Sequence, residues 1–430
     1  MIWEILTIII TLVSSIGIYN YFTTTRLNKA VPKEQPFVSV LIPARNEEQN
    51  IAACLDSVFK QNYSNFEVVV CDDQSIDKTG EIIKSFQKLH NNLHCISGQP
   101  LPEGWTGKNW ACQQLAKKAK GELFLYLDAD VTLQPEALAS AVALKERKKV
   151  SMLSCFPQQI MKSWGEWMLV PLVDWLLLSF VFLDLVYRTK STRFSVAIGQ
   201  FILISKEAYL KMGGHEALKT AVTEDVEMAR RLKFQGERIL VARSTGLVHC
   251  RMYTNFKDAR KGLARFIFLG SKMRPSLFII SLVGLLALFI LPFIMFFIHP
   301  YYLLLLIPLL LQRVLTSLIS GQNILFNLLL LPVHYFFTFY ISINSLYVVL
   351  GNKIEWKGRK INMKSLAAQA LEKAYRLTEV YKSKSMQKYD ELKQKIDRDW
   401  EKLNEWKPKI NLSEWKNNIN LKKIAKKYKK

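Results

Sequence analysis

Leu123-Phe124-Leu125-Tyr126-Leu127-Asp128-Ala129-Asp130 is the stretch that decides the fold. Five uncharged aliphatic and aromatic residues in a row read as a strand buried on both faces, and two carboxylates stand just past its end. The pattern recurs upstream. Glu67-Val68-Val69-Val70-Cys71 runs into Asp72 and Asp73, and Val38-Ser39-Val40-Leu41-Ile42 is closed by Pro43. Helical stretches separate these runs. Ile51, Leu55 and Val58 share one face, a helix after Thr79 carries Ile82, Ile83 and Phe86, and another spans roughly Asn109–Lys120 beyond the loop Gln99–Trp105. Strands alternating with such helices predict an α/β unit built on a doubly wound, mostly parallel sheet. Ligands of such sheets bind beyond the carboxyl ends of the strands, which is where these acids stand.

Two carboxylates at i and i+2 can share a divalent cation, and Mg²⁺ or Mn²⁺ suits an all-oxygen site that also takes a diphosphate. Alone, D-x-D is a common chance pattern whose bland reading is a capped loop. With an acidic loop at the adjacent strand end it becomes far more specific. Neither G-x-G-x-x-G nor G-x-x-x-x-G-K-[ST] occurs, which disfavours a dinucleotide cofactor or a P-loop. The six cysteines are scattered without C-x-x-C spacing, so neither a disulfide framework nor a zinc site is expected.

The 430 residues include 59 Lys/Arg against 36 Asp/Glu, yet half of them are hydrophobic, so apolar and charged residues must be segregated. Met1–Phe22 is apolar apart from Glu4 and is followed by Arg26, Lys29 and Lys33. That is the reverse of a secretory signal, so residues 1–25 read as a retained anchor with the chain after it in the cytoplasm. Pro275–Asn352 spans 78 residues with Arg313 as its sole full charge. His299-Pro300 and Gly321 divide it into three segments, each near or above the ~20 residues a spanning helix needs. Three crossings would leave the C-terminus outside, whereas residues 351–430 hold 23 Lys/Arg against 10 Asp/Glu and suit the cytoplasmic face. Re-entry of Tyr301–Ser320, around Arg313, would reconcile the two. In the tail, Tyr389, Leu392, Ile396, Trp400 and Leu403 recur at helical spacing, and Lys422, Lys423, Lys426, Lys427, Lys429 and Lys430 close the chain. An amphipathic helix on anionic lipid and a solvated helical appendage fit this equally. Nucleic acid would also suit the charge, but an anchored chain argues against it. The expected location is the cytoplasmic membrane, multi-pass, with residues 36–270 as the catalytic unit facing the cytoplasm.

Over Val38–Gly270 the motifs resemble, in order, those of the family 2 glycosyltransferases of GT-A fold. Pro43-Ala44-Arg45-Asn46-Glu47-Glu48 is similar to the first-strand motif, and Asp72-Asp73-Gln74-Ser75-Ile76-Asp77-Lys78-Thr79 to the acidic uridine loop, although Gln74 stands where the family has a small residue. Asp128-Ala129-Asp130 resembles the D-x-D, Gly199-Gln200-Phe201 with Met212-Gly213-Gly214-His215 the segment between donor and acceptor, and Thr223-Glu224-Asp225 the T-E-D. The resemblance implies a UDP-sugar donor, with Asp73 on the uracil ring and Pro43, Ala44, Arg45 and Glu47 lining the nucleotide pocket. It puts Asp128 on the ribose or sugar, Asp130 on the metal, Lys108 beside the diphosphate, and Asp225 as the catalytic base of an inverting transfer. Glu224 and Arg265 fall on the acceptor side. His249 matches a late metal ligand of some GT-A enzymes; the bland reading is a satisfied histidine at a strand end. Arg45 and Lys108 could equally be surface charges, and Glu224 a helix cap.

Processive polysaccharide synthases of this family carry Q-x-x-R-W after the T-E-D, where this chain reads Gly262-Leu263-Ala264-Arg265-Phe266. The missing glutamine and tryptophan argue for a single sugar transfer. Gly104-Trp105-Thr106-Gly107-Lys108 and Cys250-Arg251-Met252-Tyr253 resemble enzymes that glycosylate carotenoids of the diaponeurosporenoate and hydroxychlorobactene type, with ceramide and hopanoid relatives near. Glucose is the expected sugar and a hydroxyl or carboxyl group of a membrane lipid or carotenoid the acceptor. Ser163–Tyr187, with Trp164, Trp167 and Trp175 but also Glu166, Asp174 and Asp184, reads as an interfacial helix pair steering that acceptor, or as helices merely packed on the domain. Two other readings stand beside this one: a polymer-making synthase, and a membrane scaffold that binds nucleotide without turnover.

Overall fold

The computed structural model describes residues 2–271, 273–298, 302–360 and 398. The periodic stretch of the tail and its terminal lysines lie outside the described residues. The chain forms two compact units, one of residues 1–273 and 277–366, the other of residues 274–276 and 367–430. All the motifs of residues 38–270 fall in the first.

In chain order, helix α1 (Ile2–Thr23) leads into the edge strand β1 (Thr25–Arg26). There follow β2 (Val38–Ala44), α2 (Ile51–Phe59), β3 (Phe66–Asp72), α3 (Thr79–Leu89), β4 (Leu93–Ser97), α4 (Gly107–Lys118), β5 (Leu123–Leu127), β6 (Val131–Leu133), α5 (Ala137–Lys148), β7 (Met152–Phe156) and β8 (Gln158–Gln159). Next come α6 (Trp164–Leu169), α7 (Pro171–Phe180), α8 (Asp184–Arg188), β9 (Phe201–Ser205), α9 (Lys206–Lys211), α10 (Glu224–Phe234), β10 (Ile239–Arg243), β11 (Val248–Cys250), α11 (Phe256–Ala264) and α12 (Ile267–Ser271). The apolar helices α13 (Pro275–Ile298), α14 (Leu303–Ser320), α15 (Ile324–Leu329) and α16 (Leu331–Leu350) precede a small hairpin, β12 (Glu355–Trp356) and β13 (Arg359–Lys360).

The main sheet has the order β1-β10-β7-β9-β5-β2-β3-β4, parallel throughout except for β9, which runs against both its neighbours. All five residues of β5 are buried, as its uncharged run requires. The faces of α2 and α3 land as their spacing predicts, with Ile51, Leu55, Val58 and Ile83 in the core beneath the sheet. The sheet is wider than the three runs read from sequence. β4, β7, β9 and β10 complete it, and Thr25–Arg26, just past α1, pairs with Ala242–Arg243. These added strands are short or mixed in composition, and the single antiparallel one has no turn signal of its own.

That antiparallel strand positions the site. Because β9 runs opposite to β5, its entry, Gly199-Gln200, lies beside the exit of β5, and the Asp128 amide donates to the Gln200 carbonyl at 3.2 Å. A second sheet, β6-β11-β8, does the same on the other side. Cys250 pairs with Val131, and the Arg251 amide donates to the Asp130 carbonyl at 3.3 Å.

Two described helices, Pro275–Phe297 and Leu331–Leu350, are long and apolar enough to cross a membrane. Segment 163–187 forms three short helices rather than a pair. Glu166 is satisfied by a capping box with Ser163 and by Arg251 Nε at 2.9 Å, and Trp175 is core rather than rim. Helix α14 packs along α1 and ends against the α/β unit, where Gln158 Nε2 donates to the Gly321 carbonyl at 2.6 Å. Both ends of α16 also meet that unit: His334 Nε2 lies 2.8 Å from the Trp167 carbonyl, and Ser345 Oγ donates to the Ala264 carbonyl at 2.7 Å.

Candidate active site

Three acids and a lysine meet where β5, β9 and α10 converge. Lys108, in the first turn of α4, sets its ammonium 2.8 Å from Asp128 Oδ1 and 3.0 Å from Glu224 Oε1. Asp225 is anchored by backbone: its Oδ2 accepts from the Gly199 amide at 2.9 Å and its Oδ1 from the Val226 amide at 2.8 Å. Burial opposes charge on Lys108, but the carboxylates of Asp128 and Glu224 outweigh it and hold the ammonium well above its ordinary pKa. Burial, then the neighbouring Glu224, pushes the Asp225 carboxyl up to about 7 against the pull of Lys108. A carboxyl poised there can take a proton near neutral pH.

Asp130 lies one step further. Burial first, then the charges of Asp128 and Glu47, raise it to about 7, and its Oδ1 is buried with no hydrogen-bond partner. An orphaned carboxylate oxygen beside two like charges is a site short of a cation. Among the described residues no three His, Cys, Asp or Glu side chains converge as a metal cage. Mg²⁺ or Mn²⁺ would be carried by one or two carboxylates, Asp130 with its orphaned oxygen among them, with the remaining positions on phosphate and water. His249 is not brought to this cluster. It precedes Cys250 on β11, so the two face opposite sides of the strand. The thiol reached by Gln200 Nε2 at 3.0 Å is that of Cys250, and it is Cys250 that the Asp130 carboxyl perturbs. His249 is shifted down by burial alone.

At the far end of β2 and β3, Asp73 is buried with Oδ1 unpartnered. Burial raises its carboxyl, against the opposing charges of Arg359 and Arg45. Arg45 does not face the cleft. Its Nη1 donates to the carbonyls of Asp73 and Gln74 at 2.5 and 2.8 Å, which ties the loop together. Ala44 is buried within β2, while Pro43 and Glu47 line the cleft. Sequence reasoning missed Lys357 and Arg359 of the hairpin. Lys357 Nζ stands 2.9 Å from Glu47 Oε1, and Arg359 Nη1 2.5 Å from Asp73 Oδ2. The signal was Lys357-Gly358, a two-residue loop with φ of 47° and 79°, the left-handed pair of a tight hairpin turn.

On the acceptor side Arg265 lines the cleft, with its Nε directed to the Gly262 carbonyl at 3.4 Å. The glycine in place of the expected glutamine has a steric cause. A Cβ at Gly262 would stand 2.2 Å from the Tyr253 ring, which fills that space. From the acids a single cavity of about 1570 Å³ continues to Val173, Leu177 and Phe180 of α7 and Leu282 and Leu285 of α13, so one wall is ionic and the other hydrocarbon.

This sheet and its acid-lined cleft are those of a glycosyltransferase. The chain belongs to glycosyl transferase family 21, whose sequence profile matches residues 6–367, where the motifs alone pointed to family 2. The 4,4'-diaponeurosporenoate glycosyltransferase of Staphylococcus haemolyticus is 28% identical over 245 residues, 54% of this chain and 62% of that one. The chain thus spans about six-tenths of that relative's length. The beta-monoglucosyldiacylglycerol synthase of a Nostoc species is 33% identical over 124 residues, 28% of this chain and 26% of that one. Among solved structures, the mannosyltransferase PcManGT from Pyrobaculum calidifontis, in complex with GDP-Man and Mn²⁺, is 17% identical over 90% of this chain and 96% of that one, with a TM-score of 0.46.

Proposed function

We propose that this chain is an inverting, metal-dependent glycosyltransferase that moves a sugar, glucose in the first instance, from a UDP donor to a hydroxyl group of a membrane lipid. The observation that carries the proposal is the one cavity with two chemistries. A water-soluble sugar nucleotide fits the acidic end near Asp128 and Asp130, and a hydrocarbon acceptor fits the wall of α7 and α13. The names of the relatives, a 4,4'-diaponeurosporenoate glycosyltransferase and a beta-monoglucosyldiacylglycerol synthase, support a lipid-like acceptor, although the first names a carboxylate rather than a hydroxyl.

A divalent cation held by Asp130, with Asp128 beside it, would offset charge on the departing diphosphate. Lys108 adds a fixed positive charge at the same place and bridges Asp128 and Glu224. Asp225, fixed by two backbone amides, takes the proton of the acceptor hydroxyl as it attacks the anomeric carbon opposite the diphosphate. A carboxylate acceptor is already ionised, needs no base, and would enter against Asp225 and Glu224, so the geometry favours a hydroxyl.

Helix lengths and contacts support a membrane reading. Helices α13 and α16 are long and apolar enough to cross, while α14 is shorter, packs along α1 and ends at Gly321 against Gln158. Two crossings, by α13 and α16, would return the chain to the side it started from, with residues 301–320 as the segment that does not cross. Reporter tags at residues 300 and 430 test it, and opposite sides for the two are expected. For the activity, lipids extracted from cells with and without the gene are compared by mass spectrometry. A hexose-sized increment present only with the gene, and lost with Asp130→Ala, is the expected result; a repeating ladder of added sugars would favour a polymer synthase.

A further inference from the structure

The hairpin that follows α16 is seated on the nucleotide loop although more than 280 residues separate them in sequence. Arg359 reaches that loop with both terminal nitrogens, Nη1 on Asp73 Oδ2 at 2.5 Å and Nη2 on Gln74 Oε1 at 2.7 Å. Lys357 donates to the Asn46 carbonyl at 3.2 Å and pairs with Glu47, and its own carbonyl accepts from Arg45 Nε at 3.1 Å. Two residues of the loop, Asn46 and Gln74, hold left-handed backbones at φ 52° and 57°, a conformation that persists only where surroundings fix it. Gln74 replaces the small residue expected there, and its side chain is the one Arg359 grips. The departure and the hairpin explain each other.

Asp73 is therefore left with one free oxygen. Oδ2 is taken by Arg359, while Oδ1 is buried and unpartnered, and a Cβ at Gly98 would come within 3.3 Å of it, so that side is kept clear by a glycine. A pyrimidine imide presents one N–H between two carbonyls. Guanine presents two adjacent N–H donors, which want both oxygens of a carboxylate.

We infer that the hairpin β12–β13 is a working part of the donor site: Arg359 positions Asp73 to offer a single oxygen to a uracil imide, and Lys357 supplies a cation towards the diphosphate. Arg359 is a positioning and specificity-determining residue. Lys357 borders the same cavity as Asp128 and Asp130, and its charge reaches both carboxyls. The inference rests on the reading of Asp73 as the base-binding acid of a UDP-sugar enzyme.

The test uses full-length protein in lipid nanodiscs with Mg²⁺, titrated with UDP, GDP and uridine, and assayed for UDP-sugar turnover. Arg359→Ala is expected to raise the donor KM by about tenfold or more with kcat nearly unchanged, the scale of a lost charge-assisted hydrogen bond, and to narrow the preference for UDP over GDP. Arg359→Lys restores charge without the fork, should fall between, and serves as the second reading should the alanine variant not fold. Lys357→Ala should weaken UDP but not uridine, and Lys360→Ala, on the exposed side of the strand, should change neither. UDP binding by Arg359→Ala as tight as wild type would overturn the inference, and tighter binding would make the hairpin a plug instead. A wild-type protein that turns over no UDP-sugar would sink the proposed function and not this step.

Discussion

Two clusters of buried polar groups lie in this molecule, one at the end of β5 and one among the apolar helices, and they are built to opposite ends. The cluster among the apolar helices ties helix to helix, although Arg313 Nε and Nη1 keep no partner there. Arg313 donates to Asn327 at 3.1 Å and lies 2.8 Å from His334 Nδ1, Asn327 donates to Ser317 and Gln322, and Gln322 donates to Asp174 at 2.6 Å. These bonds link α7, α14, α15 and α16 and so help fix their register. The catalytic cluster is left open. Asp130 and Asp73 each keep an orphaned oxygen, and the carboxyls of Asp130 and Asp225 are both raised to about 7. What separates the two is place: the first joins helix to helix, whereas the unpartnered oxygen of Asp130 belongs to a residue that lines the cavity.

Substitutions should separate the two. Asp225→Asn keeps shape and removes the base, so transfer to a hydroxyl acceptor is expected to fall about 10³-fold, measured as kcat with donor binding intact. Wild-type turnover by that variant would remove Asp225 from the chemistry. The pH dependence has a definite sign. An acid raised to about 7 is protonated and idle below that pH, so kcat/KM should fall about tenfold per unit on the acid side of pH 7 and level off above it. A profile flat from pH 5 to 8 would contradict the assignment.

On the membrane side, Arg313→Ala leaves Asn327 and His334 without their donor. A loss of about 3 kcal/mol of stability, read as a lowered Tm, is expected while activity per folded molecule survives. Asp130→Ala should behave in the opposite manner, with activity lost and Tm unchanged or slightly raised, because it removes an uncompensated buried acid. The smallest of these effects falls at Gly262→Ala, whose methyl group must displace the Tyr253 ring at a cost of about 1–3 kcal/mol. Unchanged stability there would mean the ring moves freely.

The catalytic cluster was far more legible in the sequence than its counterpart. Asp128 and Asp130 follow an uncharged strand, so local pattern puts them at a sheet end, whereas Asp225 was reached only through resemblance to the T-E-D. Lys108 was placed beside the diphosphate by resemblance alone, and its ion pairs with Asp128 and Glu224 come from the structure. His249 failed because neighbouring strand residues point to opposite faces, and the choice between it and Cys250 depends on a register no periodicity reveals. The hairpin failed for a different reason. Its turn is a Lys-Gly pair with weak turn preference, and its partners lie in the first motif, a contact of extreme sequence separation. Arg313, conspicuous as a lone charge, suggested re-entry of its own helix, but its partners, which arrive from α15 and α16, could not be read from the sequence.

The central claim is that a cation and a nucleoside diphosphate share the open cluster. The most direct measurement is the affinity of the full-length protein for UDP with and without Mn²⁺, in wild type and in Asp130→Asn. The account predicts that Mn²⁺ tightens UDP binding at least about tenfold in wild type, a coupling near 1.4 kcal/mol, and has no effect in the variant. Equal affinities with and without the metal in the wild-type protein would contradict it.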